Sequence, residues 1–174
     1  MARVAFLGLG VMGFPMAGHL VAKGHEVTVY NRSPAKAEAW VARHGGRSAP
    51  TPREAAGGAG FVMACVGNDD DLRAVCCGDD GAFAGMPPGA VLVDHTTVSA
   101  RVTRELAAAA EARGLGFVDA PVSGGQAGAE NGVLSVMCGG TQAHYDAAEP
   151  VIAAYARICR LLGPSGAGQL AKMM

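Results

Sequence analysis

The stretch Val4–Arg32, VAFLGLGVMGFPMAGHLVAKGHEVTVYNR, decides how the whole chain is read. A short apolar run, Val4-Ala5-Phe6-Leu7, feeds Gly8-Leu9-Gly10-Val11-Met12-Gly13. An apolar helical pattern follows from Val11 to Lys23, Gly24 suits its C′ position, and Glu26-Val27-Thr28-Val29-Tyr30 reads as a second strand. Strand, G-x-G-x-x-G, helix and strand within about thirty residues is the setting in which a glycine motif signals dinucleotide binding. Gly8 permits a tight turn, Gly10 carries no side chain to block a pyrophosphate, and Gly13 lets the helix pack close to the strand. The helix N-terminus then offers free N–H groups and a positive dipole end to phosphates. Glycine is abundant, 26 of 174 residues, so the flanking elements rather than the glycines alone carry this reading.

The length suits one well-packed domain. Formal charge is -1, from 14 basic and 15 acidic residues, so nothing suggests a nucleic-acid stripe or a polybasic membrane patch. The apolar runs are strand length, well short of the ~20 residues that span a bilayer. A soluble, cytoplasmic protein is expected. The five cysteines, Cys65, Cys76, Cys77, Cys138 and Cys159, lie mostly in apolar runs and read as buried reduced thiols. The adjacent pair Cys76-Cys77 lacks the spacing of a tetrahedral metal site, so no metal is expected.

Beyond the opening unit, Ser33-Pro34 starts a helix reaching Arg43, and Thr51-Pro52-Arg53-Glu54 opens a short one that Gly57-Gly58 stops. Phe61–Val66 is an all-apolar strand. Asn68-Asp69-Asp70-Asp71 reads as the acidic first turn of a helix running through Leu72, Val75 and Cys76. Gly78–Gly89 is a turn-rich connector, Val91–Asp94 a strand, Ser99 the cap of a helix carrying Val102, Leu106 and Ala110, and Gly116–Phe117–Val118–Asp119 another strand. Ala120–Gly125 is a punctuated loop outside the core. Leu134–Cys138 is a strand, Thr141 caps a helix ending near Pro150, and Arg157-Ile158-Cys159 is a short last strand. His19, His25, His44 and His144 have helix or turn settings expected at the surface.

Strands alternating with helices predict an α/β fold of Rossmann type, a doubly wound, mostly parallel sheet with helices on both faces. The loops Gly8–Gly13, Asn31–Ser33, Val66–Asn68, His95–Ser99 and Pro121–Gly125 then gather at the carboxyl edge of the strands. At the end of the second strand, where NAD-binding proteins usually carry an acid, stand Asn31, Arg32 and Ser33. A neutral amide, a cationic fork and a hydroxyl at a helix start favour NADP, with NAD possible. FAD and S-adenosylmethionine are disfavoured, since their sites usually want the acid.

Three further segments carry a family likeness. Asp94-His95-Thr96-Thr97-Val98-Ser99, then Asp119-Ala120-Pro121-Val122-Ser123-Gly124-Gly125 with Ala129-Glu130-Asn131-Gly132, then Gly163–Lys172, resemble the β-hydroxyacid dehydrogenases. This family includes 3-hydroxyisobutyrate dehydrogenase, tartronate semialdehyde reductase and NADPH-dependent glyoxylate/succinic semialdehyde reductases, and more distantly 6-phosphogluconate dehydrogenase. The resemblance covers essentially the whole chain and concerns the family's cofactor domain. It implies hydride transfer between NADP(H) and a small 3-hydroxy acid or semialdehyde. Lys172 matches the catalytic lysine, which exchanges a proton with the substrate oxygen. Ser123, Gly124 and Gly125 match the loop that receives the carboxylate of a small substrate. Thr96 matches a cofactor contact, and Val66, Gly67 and Asn68, with Cys65 before them, border the nicotinamide ribose. His95 is expected to be cleft wall or ribose neighbour.

Residues 1–163 are thus expected to form an NAD(P)-binding Rossmann domain. Residues 164–174 begin an interdomain helix leading to an all-helical C-terminal domain, through which the full-length protein dimerises or forms tetramers. The resemblance departs at Asp94-His95-Thr96-Thr97, where the family often has Asp-x-Ser-Thr. A non-catalytic dinucleotide-binding sensing or interaction module and an imine-type reductase are the alternatives. The joint presence of Ser123 and Lys172 argues against the sensor, and Lys172 argues against the imine reductase.

Overall fold

Strands that are apolar on both faces need cover on both faces, and helices between successive strands supply it. The computed structural model describes residues 1–174. The first half comprises β1 (Arg3–Leu7), α1 (Gly13–Ala22), β2 (Glu26–Tyr30), α2 (Pro34–His44), β3 (Arg47–Ser48), α3 (Pro52–Ala56) and β4 (Phe61–Ala64). Then come α4 (Asp69–Cys76), α5 (Ala82–Gly85), β5 (Val91–Asp94), α6 (Ala100–Ala112) and β6 (Gly116–Asp119). The chain continues through β7 (Val122–Ser123), α7 (Gly125–Asn131), β8 (Leu134–Gly139), α8 (Gln142–Ile152), β9 (Ala156–Gly163) and α9 (Ala167–Met173).

All nine strands join one sheet in the order β3-β2-β1-β4-β5-β6-β8-β7, with β9 paired to β8. β1 through β6 run parallel, while β8 runs antiparallel to β6 and β7. The order reverses between β1 and β4, the switch point at which such sheets open a crevice. Successive strand residues feed opposite layers, as a period of two requires. Val4, Phe6, Met63, Val91, Val93 and Val118 pack with Met16, Leu20 and Trp40 on one face. Ala5, Leu7, Val62, Leu92 and Phe117 pack with Leu72, Phe83 and Leu106 on the other. The Rossmann-type α/β architecture is as expected.

Several boundaries move, each for a physical reason. α1 begins at Gly13 rather than Val11, because Gly10–Met12 are spent in the turn and Phe14 N–H is the first to reach back, to Gly10 O at 3.0 Å. β4 stops at Ala64 rather than Val66, because Val66 N–H leaves the ladder for Thr96 Oγ1 at 3.0 Å. The Gly78–Gly89 connector holds the one-turn helix α5, which buries Phe83. The Ala120–Gly125 loop is partly core: Ala120 and Val122 are buried, and Val122–Ser123 pairs with β8. Gly125–Asn131 is a helix, and β9 spans eight residues rather than three because it follows β8 along its length. The four histidines expected at the surface are half-buried; His19 Nε2 contacts Ala129 O at 2.9 Å, and His25 Nδ1 accepts Ala2 N–H at 3.0 Å. All five cysteines are free, and Cys77 alone among them is exposed.

Ser33, the N-cap expected for α2, makes no side-chain capping hydrogen bond, but four other caps are formed. Thr51, Asn68, Ser99 and Thr141 each accept an N–H from the residue three positions on. The last helix is capped from afar. The buried Asp119 carboxylate accepts Gly166 N–H at 2.9 Å, Gly168 N–H at 3.0 Å and Gln169 N–H at 3.2 Å. Three orphan donors at the start of α9 are thereby satisfied by one side chain at the end of β6.

His95 is not cleft wall. It is 2% exposed, its Nδ1 lies 2.7 Å from Ala120 O, and its Nε2 lies 2.6 Å from Tyr155 Oη. A carbonyl can only accept, so Nδ1 carries the proton and Tyr155 O–H donates to Nε2. Burial pushes the imidazole down to about 4, which keeps it neutral.

Asp94 is fully buried; Oδ1 accepts Thr96 N–H at 2.9 Å and Oδ2 has no partner. Burial raises this carboxyl from 3.8 to about 7 against the opposing Thr96 hydrogen bonds. The folded chain therefore keeps a proton that the unfolded chain releases, and this group's contribution to stability falls as pH rises from 3.8 to about 7. Asp94→Asn cannot make this change. The stability difference between wild type and Asp94→Asn, from urea titrations across that window, should decline with pH by at most about 1.4 kcal/mol per unit. A flat difference would show that Asp94 ionises normally.

Candidate functional site

A cleft of about 720 Å³ opens at the carboxyl edge of the sheet, beside the switch point. Its floor is the Gly8–Gly13 turn, whose three glycines are each required differently. Gly8 has φ +99, and a Cβ there would run into the Cys65 carbonyl. A Cβ on Gly13 would run into Gly8 O and lie 3.0 Å from the Phe6 ring, so only glycine lets α1 approach β1 this closely. A Cβ on Gly10 would meet nothing within 4 Å of protein, so its absence keeps space open rather than relieving packing. The N–H groups of Gly10, Val11 and Met12 have no acceptor within the protein. An open cradle of free amides at the start of a ten-residue helix fits a pyrophosphate.

Asn31 shapes the turn from the next strand. Its Oδ1 accepts Leu9 N–H at 2.9 Å and its Nδ2 donates to Ser33 O at 3.1 Å, tying the first two loops together. Arg32 reaches over the cleft with 91% of its side chain exposed, and its guanidinium lies 3.9 Å from Asp71 Oδ1. Asp71 also lines the cleft, together with Tyr30 and Thr51, all three absent from the sequence-derived site. An acid beside Arg32 offsets part of the positive field that the sequence alone implied.

On the other wall, Cys65, Val66 and Gly67 line the cleft as expected. Burial, with Asp94 adding to it, pushes the Cys65 thiol up to about 12, so it meets a ligand as a neutral group. Three expected contacts stand back from the cleft lining. Ser33 starts α2, Asn68 spends its side-chain oxygen on Asp71 N–H at 2.9 Å, and Thr96 is buried with its hydroxyl on Val66 N–H. Thr96 supports the wall from behind, through Val66 N–H.

The remaining expected residues meet on the loop after β6. Lys172 Nζ donates to Val122 O at 2.7 Å and lies 3.4 Å from Ser123 Oγ. Ser123, Gly124 and Gly125 are exposed, and the Gly124 and Gly125 amides have no acceptor within the protein. Gly124 and Gly125 have φ +133 and +62, which turns their backbone outward and suits glycine. Fifty residues of sequence separate Lys172 from Val122. Sequence reasoning missed the two buried groups that bring them together, Asp119 and Gln169, because neither follows a local pattern.

Comparison with known proteins identifies the family and the fold. A family model described as the NAD binding domain of 6-phosphogluconate dehydrogenase matches residues 3–163. An uncharacterized oxidoreductase of Shewanella frigidimarina is 64% identical over 174 residues, covering 100% of this chain and 60% of that protein. A 3-hydroxyisobutyrate dehydrogenase of Pseudomonas aeruginosa is 38% identical over 99% of this chain and 58% of its own length. Among solved structures, Mycobacterium tuberculosis 3-hydroxyisobutyrate dehydrogenase with L-serine superposes with a TM-score of 0.92 at 37% identity, covering 99% of this chain and 58% of that one. The chain thus spans about three fifths of the length of these relatives. With a glycine turn, strand order and cleft that all agree with a match over residues 3–163, the chain belongs to the family of NAD binding domains typified by that of 6-phosphogluconate dehydrogenase.

Proposed function

We propose that this chain is the nucleotide-binding part of an NADP-preferring oxidoreductase acting on a small 3-hydroxy acid or the corresponding semialdehyde, with NAD as a second acceptable cofactor. Residues 1–163 form the NAD(P)-binding domain, and residues 164–174 begin a helix leading into a helical domain that completes the site and carries the dimer or tetramer contacts. The observation that carries the reading is the meeting of Lys172 Nζ with Val122 O and the Ser123 hydroxyl, 2.7 and 3.4 Å away. A pure nucleotide sensor has no use for an amine and a hydroxyl brought together beside free glycine amides. The relative described with L-serine supports the substrate class, since L-serine is itself a 3-hydroxy acid.

In this reading the amides of Gly10, Val11 and Met12 hold the pyrophosphate, and Arg32 pairs with the 2′-phosphate. The nicotinamide, when bound, supplies or accepts the hydride. The Ser123 hydroxyl and the Gly124 and Gly125 amides receive the substrate carboxylate, which fixes the carbonyl relative to Lys172. The ammonium of Lys172, held by the Val122 carbonyl, gives its proton to the substrate oxygen as that oxygen becomes an alkoxide. It takes the proton back in the oxidative direction.

The test uses a protein extended to the length of the relatives, assayed by NADPH absorbance against methylmalonate and tartronate semialdehydes, with succinic semialdehyde, which gives a 4-hydroxy acid, as the comparison. Lys172→Ala should lower kcat by about 10²- to 10⁴-fold, the span of general acid catalysis, with NADPH affinity reduced by no more than about fivefold. Retention of the wild-type rate would remove Lys172 from the chemistry. Arg32→Ala should weaken NADPH binding by about tenfold or more, the worth of a charge-assisted contact, and leave NADH binding alone. Equal affinities for NADPH before and after the change would end the preference for NADP.

A further inference from the structure

Thr96 is 2% exposed and is held at three of its atoms. Its N–H donates to Asp94 Oδ1 at 2.9 Å, its Oγ1 accepts Val66 N–H at 3.0 Å, and its carbonyl accepts Gln169 Nε2 at 2.7 Å. Gln169 is fully buried on α9, and its Oε1 accepts Val98 N–H at 3.3 Å. Val66 lines the nucleotide cleft, whereas Gln169 sits three residues before Lys172. One buried residue therefore touches the cleft wall through its side chain and the lysine helix through its carbonyl.

We propose that Gln169, acting through Thr96, is a positioning residue that couples occupation of the nucleotide cleft to the seating of α9 and hence of Lys172. The proposal rests on the nucleotide reading given above. Polar contacts along Ala167–Met173 hold α9 against the rest of the domain. Those holds are the Asp119 carboxylate at its start, the Gln169 carboxamide in its middle and the Lys172 contact with Val122. If Gln169 withdraws, the Thr96 and Val98 partners are left unpaired in the interior, so α9 and the Thr96–Val98 segment move together. A nucleotide packed on Val66 and Gly67 favours the position in which Val66 N–H faces Thr96 Oγ1. That is the position in which the Thr96 carbonyl faces Gln169. Linkage makes the effect reciprocal: whatever seats α9 tightens nucleotide binding by the same factor.

Amide hydrogen exchange on this 174-residue chain, with and without saturating NADPH, tests the coupling. In the wild type, nucleotide should slow exchange across Gly168–Lys172 by about fivefold, the low end of ordinary site-to-site coupling. Gln169→Leu should bind NADPH up to about fivefold more weakly and still show slowing at Gly10–Gly13, yet lose the response at Gly168–Lys172. Thr96→Val cuts the same path at the hydroxyl while leaving the carbonyl to Gln169, so it decides the matter where Gln169→Leu fails to fold. It should lose the distant response too, and Thr96→Ser should restore it. A merely structural role would lower protection of α9 in the free protein but leave its response to nucleotide intact, and that outcome overturns the proposal. So does nucleotide binding that leaves wild-type α9 unchanged. Failure of NADPH and NADH alike to bind would instead remove the nucleotide reading, and the coupling with it.

Discussion

The closeness with which α1 approaches the end of β1 is the constraint from which the rest of the cleft follows. No side chain fits at Gly13 beside the Gly8 carbonyl and the Phe6 ring, and Gly8 itself sits at φ +99 against the Cys65 carbonyl. Because the helix starts hard against the strand, its first free amides emerge directly over the sheet edge instead of being lost in a longer loop. The parallel order of β1 through β6 then delivers each loop that leaves a strand's carboxyl end to the same edge, with the switch point beneath the glycine turn. Asn31 locks the second loop to the first, and Thr96 locks the third to the fourth.

A second constraint acts at the far side of the sheet. Asp119 ends β6 with a buried carboxylate whose oxygens meet three amides of the segment that opens α9. Gly168 is the matching requirement, since a Cβ there would run into the Met137 carbonyl and lie 2.9 Å from Asp119 Oδ2. A buried carboxylate is tolerated where several donors satisfy it, and here those donors are the first N–H groups of α9, which fixes where that helix starts. Asp94 shows the contrast. It has one hydrogen-bonded oxygen and one bare one, and burial holds its carboxyl near 7.

Much of this was legible in the sequence because it is written locally. The glycine turn, the caps at Thr51, Ser99 and Thr141, and the apolar strands each occupy a few adjacent residues, and each appears where residue type demands. The meeting of Lys172 with Ser123 came from family resemblance, since no spacing rule relates residues 49 apart. What stayed hidden are contacts whose partners are distant in the chain: Asp119 with Gly168, Gln169 with Thr96, and His95 with Tyr155. A buried His or Gln reads like a surface one until topology supplies its partner. The same holds for Asp71, whose place on the cleft wall depends on where α4 lies relative to β2 rather than on its own neighbours.

The central claim is that nucleotide lies over the glycine turn at the carboxyl edge of the sheet. A second cavity, about 340 Å³, lies elsewhere, lined by Arg3, His25, Glu26, His44 and Arg47, and offers cationic groups of its own. Titrating NADPH into the ¹⁵N-labelled chain and mapping amide shifts separates the two directly. Saturable changes at Gly10, Val11, Met12 and Arg32, with none at Arg3, His25 or Arg47, are the predicted result. Changes confined to Arg3, His25 and Arg47 would contradict it.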